Sequence, residues 1–191
     1  MGSSMTESSR PNVDTQIEKF VETYQWLCGT ANERILSRHN LHLKAVYPFA
    51  ASLTIVDISD TEFWQVRLSG TQACERLGQD TTGRNARHSF AKQELALRAE
   101  LAHSMFEGPW GVRAKTRVAY ADGKQAMLDT ISLPLFGEEG QRLVTHYALT
   151  LQDFEHEYRR RPPAEQTDLV SYYFVDLGYG LPEHESPRLS A

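Results

Sequence analysis

Residues 52–85 read SLTIVDISDTEFWQVRLSGTQACERLGQDTTGRN, and the fold turns on them. Leu53, Ile55 and Val56 form a near-continuous apolar strand, and Asp57, Ser59, Asp60 and Thr61 turn the chain. Trp64, Val66 and Leu68 then alternate with Gln65, Arg67 and Ser69, the period of a half-buried strand. Ser69 or Thr71 can cap a short helix through Leu77, with Gly78 as its stop. A second helix is predicted over Ala91–Glu107, carrying Leu95, Leu97, Leu101, Met105 and Phe106, and Gly108-Pro109 ends it. Three more alternating strands follow at Val112–Tyr120, Ala126–Leu135 and Leu143–Leu151. Tight turns at Asp122-Gly123 and at 137–140 join them, so they should be neighbours. The expected core is α+β: a five-stranded antiparallel sheet with helices on one face, inserted after the second strand.

Upstream, Ile17, Phe20, Val21, Tyr24, Cys28, Ala31 and Ile35 recur at three- and four-residue steps and mark an amphipathic helix. Asp14 or Thr15 can cap it. Its apolar stripe needs a partner. One reading packs it on its own domain. The other makes Ile17, Phe20, Val21, Tyr24, Cys28 and Ala31 the seam of a homodimer, a stripe lying outside the minimal core. Pro48 bars a continuous helix or central strand in the connector at 38–49.

Residues 1–12 are polar and read as disordered. Gly2-Ser3-Ser4 ahead of Met5 reads as an expression remnant, with Met5 as the native start. The helix and connector occupy 13–46 and the sheet domain 47–154. A charged, Pro162-Pro163-containing linker and a C-terminal extension fill 155–191. Within that extension Leu169, Val170, Tyr172, Tyr173, Phe174 and Val175 are too apolar to stay in water. They must dock on this chain or on another protein.

Composition narrows the classes. The chain has 191 residues with 40% hydrophobic and 24% charged, ordinary for a globular protein with a real core. A net charge of −5 argues against a general nucleic-acid binder, and Arg159-Arg160-Arg161 is too short to reverse that. No apolar run approaches a membrane span and no signal peptide is visible. Cys28 and Cys74 are far apart and lack metal spacing, which suits buried thiols in a reducing cytoplasm.

With the strands placed, a resemblance appears. Trp64-Gln65-Val66-Arg67-Leu68-Ser69-Gly70-Thr71, then Leu77-Gly78-Gln79-Asp80-Thr81-Thr82-Gly83-Arg84, resemble a bacterial family of stand-alone PAS-like domains. Leu133-Pro134-Leu135 before a Gly-rich turn is similar to that family's second hairpin. The resemblance spans about half the chain, from Tyr47 to Leu151. It implies a sensory or regulatory module rather than a catalyst. PAS-like domains bind small molecules, haem, flavin or partner proteins. With no output segment recognisable, signalling would run through a protein partner.

The chemistry of individual residues is sparse. Neither cysteine has the setting of a photochemical flavin site. His103 on the long helix is a weak haem candidate, because a lone helical histidine is usually structural. His39-x-x-His42 has one metal spacing but no further ligands nearby, and reads as a solvated pair. Nucleophile elbow, zinc-protease and phosphate-loop motifs are all missing. An apolar small-molecule pocket is expected between the sheet and the long helix. Its candidate lining is Trp64, Val66, Leu101, Met105, Leu133 and Tyr147, with Asp129 as a polar member. Asp129 on an apolar strand face must be paired, with Arg67, Arg113 or Arg117 as candidates. The competing reading is a small cone-shaped isomerase or dehydratase working through Asp129 and His146 in one pocket.

Overall fold

The structure, a computed structural model, describes residues 12–153 and 161–182. The expected disordered start through residue 11, Arg159-Arg160 and the chain end from 183 lie outside them. Helix α1 spans Val13–Ala31, the four-residue α2 Leu43–Val46, α3 Thr71–Leu77 and α4 Leu95–Ser104. The strands are β1 Leu53–Asp57, β2 Gln65–Ser69, β3 Trp110–Tyr120, β4 Gln125–Phe136, β5 Arg142–Asp153 and β6 Ala164–Asp176. They form one sheet in the order β2-β1-β5-β4-β3-β6, and every ladder is antiparallel. The first five strands, with α3 and α4 inserted between β2 and β3, have the expected PAS-like layout.

The sheet has six strands, not five. The aromatic segment of the extension is β6, paired with β3 from Trp110↔Asp176 to Tyr120↔Ala164. Its alternation is hard to read because Lys115 faces Ser171 while Thr116 faces Leu169. Val170 is therefore the extra residue of a bulge, and the period shifts by one there. The outer edge of β6 is blocked midway. Leu169 N–H donates to both Glu94 carboxylate oxygens at 3.0 Å, Arg98 Nη2 donates to the Thr167 carbonyl at 3.1 Å, and Thr167 Oγ1 donates to the Ser89 carbonyl at 3.1 Å.

Helices cover both faces, not one. α1 lies across β1, β5 and β4, where Ile17, Phe20, Tyr24 and Leu27 meet Leu53, Ile55, Leu133, Leu135 and Tyr147. α4 lies on the other face, where Leu101, Ala102 and Met105 meet Val112, Ala114, Val144, Leu169 and Tyr172. Strand alternation makes this possible: odd residues of β4 and β5 point to α1, even ones to α4. The N-cap of α1 is Asn12, whose side chain accepts from Asp14 N–H at 3.2 Å, two residues before the first of the expected caps. The helix stops at Asn32, which takes the left-handed conformation at φ 56° and donates to the Cys28 and Gly29 carbonyls. α3 ends as expected at Gly78, φ 67°, but its N-cap is Gly70, with no side-chain cap, rather than Ser69 or Thr71. α4 is shorter than the predicted helix, because Lys92–Glu94 is a 3₁₀ turn and only Leu95–Ser104 is α.

Candidate functional site

The two faces of the sheet differ in how they are filled. On the α1 face Ile131, Leu133 and Leu135 are all 0% exposed, and Thr145 is 1% exposed. The α3–α4 face carries small or polar side chains at its centre. One cross-strand row runs Thr54–His146–Ser132–Val112 and the next Ala148–Thr130–Ala114–Tyr172. Thr54, His146 and Ser132 are only half-buried although they sit mid-sheet. Small side chains and partial exposure at mid-sheet mark the space between this floor and α3–α4 as the candidate site.

Its polar groups are under-used. Among the described residues, four buried side-chain atoms lack a hydrogen-bond partner: Trp64 Nε1, Arg76 Nη2, His103 Nδ1 and Tyr172 OH. All four belong to the α3–α4 side. Trp64 and Tyr172 sit in the core cluster under α4, Arg76 is on α3 and His103 on α4. Native interiors rarely strand such groups without a bound molecule or water.

His146 sits at the centre. Ser132 Oγ and His146 Nδ1 lie 3.0 Å apart, one hydrogen bond whose direction the tautomer sets. Burial pushes the imidazole pKa down to about 4, and the nearby Arg98 and Arg76 charges push the same way. It is therefore neutral at pH 7. Arg98 is neutralised by Glu94 at 2.9 Å and lies over the Phe90 ring. Phe90 in turn packs on Trp64, ring centroids 6.0 Å apart, and bridges to Thr167 on β6. The segment between α3 and α4 thus reaches from the β2 end of the sheet to β6.

The expected pocket residues divide between the faces. Trp64, Val66, Leu101 and Met105 are buried on the α3–α4 side, Val66 beside Val56 in the ladder. Leu133 and Tyr147 are on the opposite face under α1, with Tyr147 packed on Phe20 and Phe49. A sheet with one covered face would bring them to the pocket; with both faces covered, strand alternation sends them to α1. Asp129 is also on the α1 face. Arg113 is its partner, donating through Nε at 3.0 Å and Nη2 at 2.7 Å, and Arg113 Nη2 also holds Asp14 of α1. Asp129 and His146 therefore project from opposite sides of the sheet and share no cavity. The isomerase or dehydratase reading falls with that pair.

The stripe expected at a dimer seam is used within the chain. Ile17, Phe20, Tyr24 and Cys28 are 2–6% exposed against the sheet, and half-buried Val21 packs beside them. Half-buried Ala31 closes the helix. Tyr24 OH donates to the Pro134 carbonyl at 2.7 Å and accepts from Leu36 N–H at 3.2 Å, which ties α1 to β4 and to the connector. The cleft between Phe20, Tyr24, Leu27, Val46 and Leu53 has space for about one water and is no ligand site. His103 packs edge-on to Trp64, ring centroids 6.4 Å apart, and burial lowers its pKa with help from Arg142. No cluster of three metal-binding side chains occurs among the described residues. None of their helices is long and apolar enough to cross a membrane.

Sequence reasoning misses Arg76 and Ser132, and names His146 only as a partner of Asp129. The only signal available was an arginine on the buried face of a short helix, in phase with Ala73.

No family model matches the chain, and no curated protein matches it. Among solved structures it is similar to the LOV protein of Rhodobacter sphaeroides, at 16% identity over 73% of this chain and 69% of that one, TM-score 0.43. A fungal LOV domain photoreceptor shares 16% identity over 53% of this chain and 75% of that one, TM-score 0.43. The PAS domain of a protein from Colwellia psychrerythraea shares 13% identity over 57% and 97%, TM-score 0.41. The PAS-like description rests on strand order and helix placement: β2-β1-β5-β4-β3 with α3 and α4 between β2 and β3, extended by β6.

Proposed function

We propose that the chain is a cytoplasmic sensory or regulatory module that takes a small molecule in the chamber between the sheet and α3–α4 and passes the signal through protein contacts. The sensory role is an argument by analogy from fold. The ligand role rests on one observation of the site: the four unpartnered buried polar atoms among the described residues all lie on the chamber's side of the sheet, the side that also carries the half-buried His146. A filled structural core has no use for them. A second copy of the chain is the first partner to seek, through surface other than the α1 stripe.

Native mass spectrometry of freshly purified protein tests both parts together. A mass above that of the polypeptide, lost on denaturation, is the expected result, and the same spectrum counts subunits. Polypeptide mass alone, together with unchanged thermal stability across a broad set of small organic molecules, would remove the sensory reading.

A further inference from the structure

We infer that the chamber takes a singly charged organic anion whose carboxylate pairs with the guanidinium of Arg76. This rests on the sensory reading above and names the chemistry of its ligand.

Arg76 projects from the buried face of α3 and is 9% exposed. Its Nη1 reaches only a neutral hydroxyl, Ser52 Oγ, at 3.3 Å, and Nη2 has no partner. The Ser52 hydroxyl is itself given to Gln72 Oε1 at 2.6 Å. Guanidinium stays protonated inside proteins, so a full positive charge is buried with no counter-ion among the described residues. That arrangement is expensive unless something supplies one.

The rest of the chain shows that this is unusual. Arg113 and Arg98, the other well-covered arginines on these faces, have carboxylates at 2.7 and 2.9 Å. Even half-exposed Arg67 has Asp57 at 2.8 Å. Arg98 is cancelled by Glu94 and His146 is neutral at pH 7. Among the described residues the chamber therefore keeps one uncompensated positive charge, and one negative charge balances it.

The position fits a ligand. Arg76 precedes Leu77, which packs on the cluster holding Ala148, and its Nη1 is held by Ser52, two residues before Thr54, so the guanidinium lies beside the chamber floor. A carboxylate at Arg76 leaves the body of the molecule over Thr54, Ser132 and Ala148, where the side chains are small. Nη2 is enclosed in this state. Binding therefore draws the guanidinium off Ser52 toward the chamber, and α3 follows because it carries the arginine.

The test uses the full chain and paired probes of one shape and two charges: hexanoate, octanoate and benzoate against their primary amides. Thermal shift and titration calorimetry are run on wild type, Arg76→Met and Arg76→Lys. At least one acid should bind wild type more tightly than its amide. Arg76→Met should weaken that acid about tenfold or more and leave the amide unchanged, since charge-assisted pairs are the strong ones. Arg76→Lys should keep part of the preference. Arg76→Met should fold at least as well as wild type, because it removes an unpaired buried charge. Acids and amides binding wild type equally, or an acid indifferent to Arg76→Met, overturns the anion site and leaves a neutral-ligand sensor standing. Failure of every acid and amide overturns the anion site, and the native mass spectrum with the broad small-molecule set then decides the sensory reading. If Arg76→Met does not fold, the acid–amide difference in wild type and its change in Arg76→Lys decide the matter.

Discussion

Replacing Tyr24 by Phe removes a single oxygen and asks whether α1 belongs to the core. The phenol is 3% exposed, and burial raises its pKa well above the usual tyrosine value. It is therefore protonated and free to donate to the Pro134 carbonyl while accepting from Leu36 N–H. Leu36 is 0% exposed, so its N–H cannot turn to solvent instead. Stranding that donor costs about 1–3 kcal/mol, and the lost bond to Pro134 adds about 1 kcal/mol, so roughly 2–4 kcal/mol is expected in all. For a chain of this size that lowers Tm by roughly 5–15 °C. Urea unfolding should show an earlier midpoint with unchanged slope, since the surface exposed on unfolding is the same. Tyr47→Phe, at a residue 76% exposed, is the control and should shift nothing. A Tm for Tyr24→Phe within about 1 °C of wild type would refute the docking of α1 on β4.

Three further expectations follow from the geometry. Phe20→Glu with Tyr24→Glu, which a dimer seam would tolerate as a folded monomer, should unfold the chain; circular dichroism together with light scattering separates these outcomes. Arg113→Ala leaves the Asp129 carboxylate, 4% exposed, without its partner and should cost about 3–5 kcal/mol in denaturant unfolding, whereas Arg117→Ala at a half-exposed pair should cost about 1 kcal/mol or less. His146 is neutral when folded down to about pH 4 but protonates near 6.5 when unfolded, so its contribution is fully present above pH 6.5 and is lost as pH falls toward 4. The loss is at most ~3 kcal/mol, reduced by the ring's remaining exposure, and should shrink in His146→Asn; an imidazole that titrates near 6.5 by NMR would contradict it.

Much of the architecture was legible because it is local. Alternation set five strands, Asp122-Gly123 and Gly140 set the hairpins at φ 79°, and Gly78 ended α3. The stripe of α1 was likewise plain. What covers that stripe is a matter of tertiary structure, since an apolar helix face fits a second copy as well as it fits its own sheet. Here the odd positions of β4 and β5 meet it, and this sends Leu133, Tyr147 and Asp129 to the side away from the chamber. β6 was hidden for a different reason: the bulge at Val170 breaks the period that marks a strand, and its partner β3 lies far upstream. Periodicity could pair Asp129 with an arginine in principle, but only the register, with Arg113 opposite Ile131 and so diagonal to Asp129 two residues along the strand, selects which one. The chamber was least visible of all. It is made by small residues from four strands and by the missing partner of Arg76, and an unmet charge has no sequence signature, because the carboxylate that would meet it can come from anywhere in the fold.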